Sequence, residues 1–163
     1  ILGCDGAGID ADGNEVVVHA LVGDPDWRGD ETFDPKRSIL SERYPGTFAE
    51  RVAVPKRNLV PKPASLSFEQ AACLPTAWLT AYRMLTTRSG IAPGNALPPG
   101  STVLVQGAGG GVATALVALG SAMGLRMWVT SRDEVKGAQA VEQLCAQAGA
   151  ADIKTAIAAS PVL

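Results

Sequence analysis

Histidine occurs once and cysteine three times in these 163 residues. Cys4, Cys73 and Cys145 are an odd number, and they stand too far apart in the chain for a disulfide framework or a CxxC metal knuckle. Free thiols in a reducing compartment fit this usage, and the cytoplasm is the expected location. Aromatic residues make up 5% of the chain, and no run of Lys or Arg is interleaved with them. The 14 basic and 16 acidic side chains leave a net charge of -2, so the electrostatic footprint of a nucleic-acid or anionic-membrane partner is missing. No uninterrupted apolar stretch approaches the ~20 residues that span a bilayer, and the N-terminus has no charged-then-apolar leader pattern. Glycine and proline are plentiful instead, at 18 and 11, in a chain that is 47% hydrophobic. That is the composition of globular protein with one core or two small ones.

The first part of the chain reads as β structure. Residues 15–21 (EVVVHAL) are a β-branched run after the Asp12-Gly13-Asn14 turn, and 47–54 (TFAERVAV) alternate with Phe48 and Val52 on one face. Between them, 23–43 is a polar excursion broken by Pro25, Gly29 and Pro35; after them, 56–63 (KRNLVPKP) suits a connection between domains. Ser67 and Gln70 form a capping box, and Leu74, Trp78, Ala81 and Leu85 follow at helical spacing, with Pro75 kinking or dividing the helix. Residues 102–106 (TVLVQ) then read as a buried strand, and Val112, Leu116, Leu119 and Met123 as one stripe of a helix. A second strand follows at 126–130 (RMWVT), a second helix at 133–148 and a third strand at 151–157. This β-α-β-α-β order is half of a doubly wound parallel sheet, so the fold class is α/β.

Between the first of these strands and its helix lie Gly107, Ala108, Gly109, Gly110, Gly111 and Val112. A strand that turns sharply into a helix leaves unpaired N–H groups at the positive end of the helix dipole, and glycine lets a phosphate approach that backbone closely. Gly107-x-Gly109-x-x-Val112 departs from the dinucleotide fingerprint at its third position; Ala108-x-Gly110-x-x-Ala113 has alanine at its first and ends in the permitted alanine. The alternative is a surface turn, with Ala113, Ala115 and Ala118 allowing close helix packing. A Walker phosphate loop is excluded, because no Gly-Lys-Ser/Thr follows. His19 has no Ser, Cys or carboxylate partner at motif spacing and reads as structural. Cys73 and Cys145 read as core residues, and Trp128 as a strand residue packed against a helix.

GCDGAG (3–8), GTFAERVAVP (46–55), LVPKP (59–63), AACLPTAWLTAYRML (71–85), VLVQGAGGGVATALVALGSAMG (103–124) and TSRDEVK (130–136), in this order, resemble the medium-chain dehydrogenase/reductase superfamily. The resemblance implies a partial GroES-like β domain at 1–66 and the first half of a Rossmann domain at 67–163. It also implies that the isolated chain is inactive and poorly stable, with Val103, Val105 and Trp128 lacking partners on one side. Where the zinc branch of the superfamily has Gly-His-Glu, this chain has Gly3-Cys4-Asp5, and where that branch has a second cysteine it has Thr76, in an LPTAWLTAY pattern similar to the zinc-independent quinone oxidoreductases. No Cys lies in 23–43, where the four-cysteine structural zinc loop would be. No metal is therefore expected. A tetrahedral site needs three or four converging ligands, and Cys4 with Asp5 supply an adjacent pair. The activity implied is hydride transfer from NADPH to a quinone or an α,β-unsaturated carbonyl. Thr76 and Thr80 would lie near the nicotinamide, the 107–113 loop would hold the pyrophosphate, and the full-length protein would be a homodimer. No catalytic proton donor is assigned, Tyr82 included, since the cofactor carries the hydride and the protein supplies alignment. Two alternatives stand beside this reading: a zinc-dependent alcohol dehydrogenase of the same superfamily, and an NADPH-binding protein without turnover.

The preference for NADPH has its own residues. An NAD-specific unit places Asp or Glu about 20 residues past the glycines to bind the adenosine ribose, and that carboxylate repels a 2'-phosphate. Here the strand ends Thr130-Ser131-Arg132, with Lys136 one turn on. Ser131 can donate to a phosphate, Arg132 can meet it with a planar charged fork and Lys136 adds a second positive charge. A plain helix start, with Ser131 and Glu134 as a capping box and Arg132 solvated, accounts for the same residues. Arg132→Ala in the intact protein is expected to weaken NADPH binding by roughly ten- to a hundredfold and to leave NADH nearly unchanged. Titrating both cofactors by fluorescence checks this, and equal losses would reject the assignment.

Overall fold

The computed structural model describes residues 1–89, 97–98, 100–107, 109–135, 137–139 and 141–142, with the backbone of 153–157. Ala108, Lys136, Cys145 and the later part of the expected second helix lie outside the described residues. The chain divides into two compact units, Ile1–Thr76 and Ala77–Leu163.

In the first unit, β1 (Ala7–Ile9), β2 (Glu15–Val18) and β5 (Leu59–Pro61) form an antiparallel sheet in the order β1-β2-β5. Asp10 closes the β1–β2 turn: its Oδ1 accepts the N–H groups of Asp12 (2.9 Å) and Asn14 (2.8 Å), and Gly13 takes a φ of +87° that few side chains tolerate. A second ladder pairs β3 (Leu21–Val22) with β4 (Ser38–Ile39). The single strand expected over 15–21 is thus split at His19 and Ala20. The break is held by Asn58, buried to 2% exposure, whose side-chain amide donates to His19 O (2.7 Å) and Leu21 O (2.6 Å). The 56–63 connection is itself structured, as a 3₁₀ turn Lys56–Asn58 followed by β5, an edge strand that accommodates Pro61.

The strand expected over 47–54 does not form. The N–H groups of Gly46, Thr47 and Phe48 donate to Ile1, Gly3 and Leu2, each at 2.9 Å, an order that no regular ladder has, and Phe48 is 77% exposed. The 23–43 excursion is organised by Asp34, whose carboxylate is 1% exposed and accepts the N–H groups of Asp24 (2.6 Å) and Lys36 (2.8 Å). The Lys36 ammonium in turn bonds Asp24 (2.7 Å), which holds the Asp24 carboxyl below its ordinary value and the lysine above. His19 has the carboxylate partner that motif spacing did not reveal: Nε2 lies 3.2 Å from Glu31 Oε2.

Helix α1 (Phe68–Ala72) begins at the expected capping box, with Gln70 N–H donating to Ser67 Oγ (3.2 Å) and Ser67 N–H to Gln70 Oε1 (3.0 Å). It packs against β1 and β2, within the first unit. Lys62 fixes the approach to it. Its buried ammonium bonds Leu66 O (2.6 Å) and Glu15 (3.0 Å) and lies 5.2 Å from the centre of the Phe68 ring. Pro75 divides the helical run as expected: a π-helical turn Leu74–Trp78 leads into α2 (Leu79–Arg83) and a second π turn, Met84–Arg88. Cys73 is exposed and not in the core, because the turn after α1 directs it outward.

The second unit is built on a parallel sheet of β6 (Thr102–Gln106), β7 (Arg126–Ser131) and β8 (Ile153–Ile157), in that order, with β6 and β7 in step from Thr102↔Arg126 to Gln106↔Thr130. Helix α3 (Gly111–Ala122) covers one face. Its buried residues are Ala113, Ala115, Val117 and Gly120, not the stripe of Val112, Leu116, Leu119 and Met123, the last three of which pack around the core's edge. Small side chains win the central positions because the helix comes so close: a Cβ on Gly120 would stand 2.5 Å from Met127 Sδ. The buried strand expected over 102–106 is buried at Val105 alone and half-buried at Val103; Thr102, Gln106 and Leu104, which pairs in register with Trp128, are exposed. Residues 134–135, 137–139 and 141–142 are helical, and no described helix is long and apolar enough to cross a membrane.

Asn58→Ala leaves two carbonyls at the β2–β3 break without their donor. A loss of about 1–3 kcal/mol in urea unfolding of the intact protein is expected, and an unchanged midpoint would show that water replaces the amide at no cost.

Candidate functional site

The glycine loop begins where β6 ends. Gly107 and Gly109 have φ values of +88° and +89°, the left-handed region that favours glycine. Gly110 is different. It caps α3 with an ordinary extended backbone, φ -82° and ψ 154°, and a Cβ added there would meet nothing within 4 Å. Neither its conformation nor its described neighbours call for glycine, and its Cβ position is open. A glycine also has no side chain with which to cap the helix, and α3 has no side-chain cap. A helix start without a side-chain cap, with its dipole positive there, favours an anion over a cation. Gly111 is exposed, and a Cβ there would be 3.4 Å from Ala77 Cβ, so the start of α3 rests on the π turn; Val112 is half-buried beside it. These residues fit the pyrophosphate of a dinucleotide.

At the far end of β7, Ser131 uses its hydroxyl locally, donating to Asp133 O (2.8 Å) and accepting the N–H of Asp133 (3.2 Å). This is a short turn and not the capping box with Glu134. Arg132 is exposed and bonds no described residue. One group escaped the sequence reading: Thr130 Oγ1 accepts the N–H of Gly107 at 3.2 Å. The one signal that pointed to it was strand register, since Thr130 pairs with Gln106, the residue before the loop.

In the first unit the structure brings together Cys4, Asp5 and Thr76. The N–H of Thr76 donates to Asp5 Oδ1 at 2.9 Å, and the Thr76 hydroxyl donates to the same oxygen. Cys4 Sγ lies 3.6 Å from Thr76 Oγ1, and because that hydroxyl's hydrogen is used on Asp5, the thiol is the donor of this contact. Thr47 was also missed: its hydroxyl donates to Asp5 O at 2.5 Å. The π turn supplies the geometry by turning the Thr76 N–H toward the carboxylate instead of along the helix. Nearby on α1, the Glu69 carboxyl is held below its ordinary value, first by a hydrogen bond from Ser67 and then by its own backbone N–H. Thr80 is exposed on α2. Among the described residues no three His, Cys, Asp or Glu side chains converge as a metal site would need.

No family model matches the chain. A crotonyl-CoA carboxylase/reductase of Cereibacter sphaeroides is 36% identical over 135 residues, which are 77% of this chain and 30% of that protein. The crystal structure of an NAD-dependent alcohol dehydrogenase superposes with a TM-score of 0.77 at 34% identity, over 95% of this chain and 46% of its own. The quinone oxidoreductase from Thermus thermophilus, solved also in complex with NADPH, gives 0.60 at 32% identity, over 95% and 40%. The chain spans less than half the length of each of these relatives. They share its order of elements, part of a GroES-like β domain followed by the first half of a Rossmann domain, and this chain belongs to the medium-chain dehydrogenase/reductase superfamily.

Proposed function

We propose that the chain is the central part of an NADPH-dependent reductase that passes hydride to an α,β-unsaturated carbonyl or a quinone without zinc. The β6–loop–α3 turn carries the reading, because Gly110 has no reason within the described protein to be glycine and α3 offers its first N–H groups uncapped. When bound, NADPH supplies the hydride. The chain's own part is to bind and orient. Gly107, Ala108, Gly109, Gly110, Gly111 and Val112 receive the pyrophosphate, Arg132 with Lys136 and Ser131 receives the 2'-phosphate, and Thr76 and Thr80 serve the nicotinamide end. For Ser131 to take part, its hydroxyl must leave Asp133 O. The crotonyl-CoA reductases among the relatives favour an unsaturated thioester over a quinone as the acceptor.

The hydrogen-bonded set of Cys4, Asp5 and Thr76 supports zinc independence. At positions where the zinc branch gathers ligands, this chain has a carboxylate already receiving two donors from one threonine. A hydroxyl and a backbone N–H satisfy that carboxylate as a metal ion would, and Thr76 is a poor substitute for a thiolate ligand.

The intact protein is expected to oxidise NADPH in the presence of short-chain enoyl thioesters, to contain far less than one zinc per subunit and to keep its rate in a chelator. Stoichiometric zinc whose removal abolishes turnover would assign the protein to the alcohol dehydrogenases. Tight NADPH binding with no turnover on enones or quinones would make it a binding protein. Within the first unit, Thr76→Val removes a donor from Asp5 and is expected to cost about 1 kcal/mol in urea unfolding, while Thr76→Ser stays close to the parent.

A further inference from the structure

We infer that Thr130 is the positioning residue of the glycine loop, holding its first N–H where the loop leaves the sheet. The ladder between β6 and β7 ends at Gln106↔Thr130. The next residue, Gly107, leaves the sheet with φ +88°, and its N–H is bonded to no carbonyl of β7. Thr130 Oγ1 takes that N–H instead, at 3.2 Å, so that a side chain extends the ladder by one bond. Among the described residues this is the one hydrogen bond from the N–H groups of Gly107, Gly109 and Gly110 back to the protein. The contact therefore fixes where Gly107 leaves the sheet. Threonine suits the task, since its branched Cβ restricts χ1 within a strand and the hydroxyl stays aimed at the loop. The hydroxyl oxygen accepts through a lone pair, so its own hydrogen remains available for a further bond.

The effect on ligands rests on the dinucleotide reading above, and it has a distinct signature. Arg132 acts on the 2'-phosphate, which NADPH alone carries. Thr130 acts on the loop, which meets the pyrophosphate common to NADPH and NADH, so its loss weakens both alike.

The test uses the intact protein and the near-isosteric pair Thr130→Val and Thr130→Ser. Thr130→Val is expected to weaken NADPH and NADH by the same factor, about three- to tenfold, the equivalent of one neutral hydrogen bond. Thr130→Ser is expected to restore both, a rescue that a purely structural role of the methyl group would not give. Hydrogen exchange of the Gly107 amide, measured without cofactor, is expected to be several-fold faster in Thr130→Val than in Thr130→Ser. Slow exchange in Thr130→Val, parental affinity in that variant, or a loss confined to one cofactor would overturn the assignment. If the parent protein binds neither dinucleotide, the cofactor reading falls, and the exchange rates still decide whether Thr130 anchors the loop.

Discussion

A carboxylate keeps a fixed place in a protein when more than one donor reaches it, and Asp5 is met twice by Thr76, through the backbone N–H and the hydroxyl, across 71 residues of chain. The first unit is organised around that closure. Asp5 leads into β1, the edge of the three-stranded sheet, while Thr76 sits in the π turn made by Pro75, whose missing N–H already prevents a regular helix there. Thr47 adds a third donor at the backbone oxygen of Asp5 and so draws in the irregular 46–48 segment. Sheet, helical run and loop converge on one acidic residue.

The glycine loop of the second unit answers the opposite physical problem. Among the described residues its helix start has no capping side chain, and the Cβ positions of Gly107, Gly109 and Gly110 face open space. The two units thus treat hydrogen-bonding capacity differently: the first uses it up internally around Asp5, while the second keeps it in reserve.

Local signals made the helical run and the parallel strands legible. The capping box, the break at Pro75 and the strands β6 and β7 follow from residues close together in sequence, and each stands within a residue or so of its expected place. The β elements of the first unit were less so, because they depend on distant partners. β5 forms in a proline-flanked segment since β2 offers it an edge, and 47–54 fails as a strand since the N–H groups of Thr47 and Phe48 are taken by Gly3 and Leu2, after Gly46 has gone to Ile1, in irregular order. Hydrophobic spacing also misled within α3, where the core selects the small residues that let helix and sheet approach, a preference that depends on the bulk of Met127 opposite Gly120. At the site, glycine spacing and the resemblance led to the loop and to Thr76. Thr47 and Thr130 carry no motif, because their parts follow from geometry alone.

Asn58 gives the first unit one more property. Its amide is shared between the carbonyls of His19 and Leu21, one at the end of β2 and the other in β3, and its own carbonyl accepts the N–H of His19. The three-stranded sheet and the two-stranded ladder are each marginal by size, and a fluctuation that opens either one strips this residue of a partner. The two therefore breathe as a single cooperative element, and protection against solvent exchange should rise and fall together on both sides of the break.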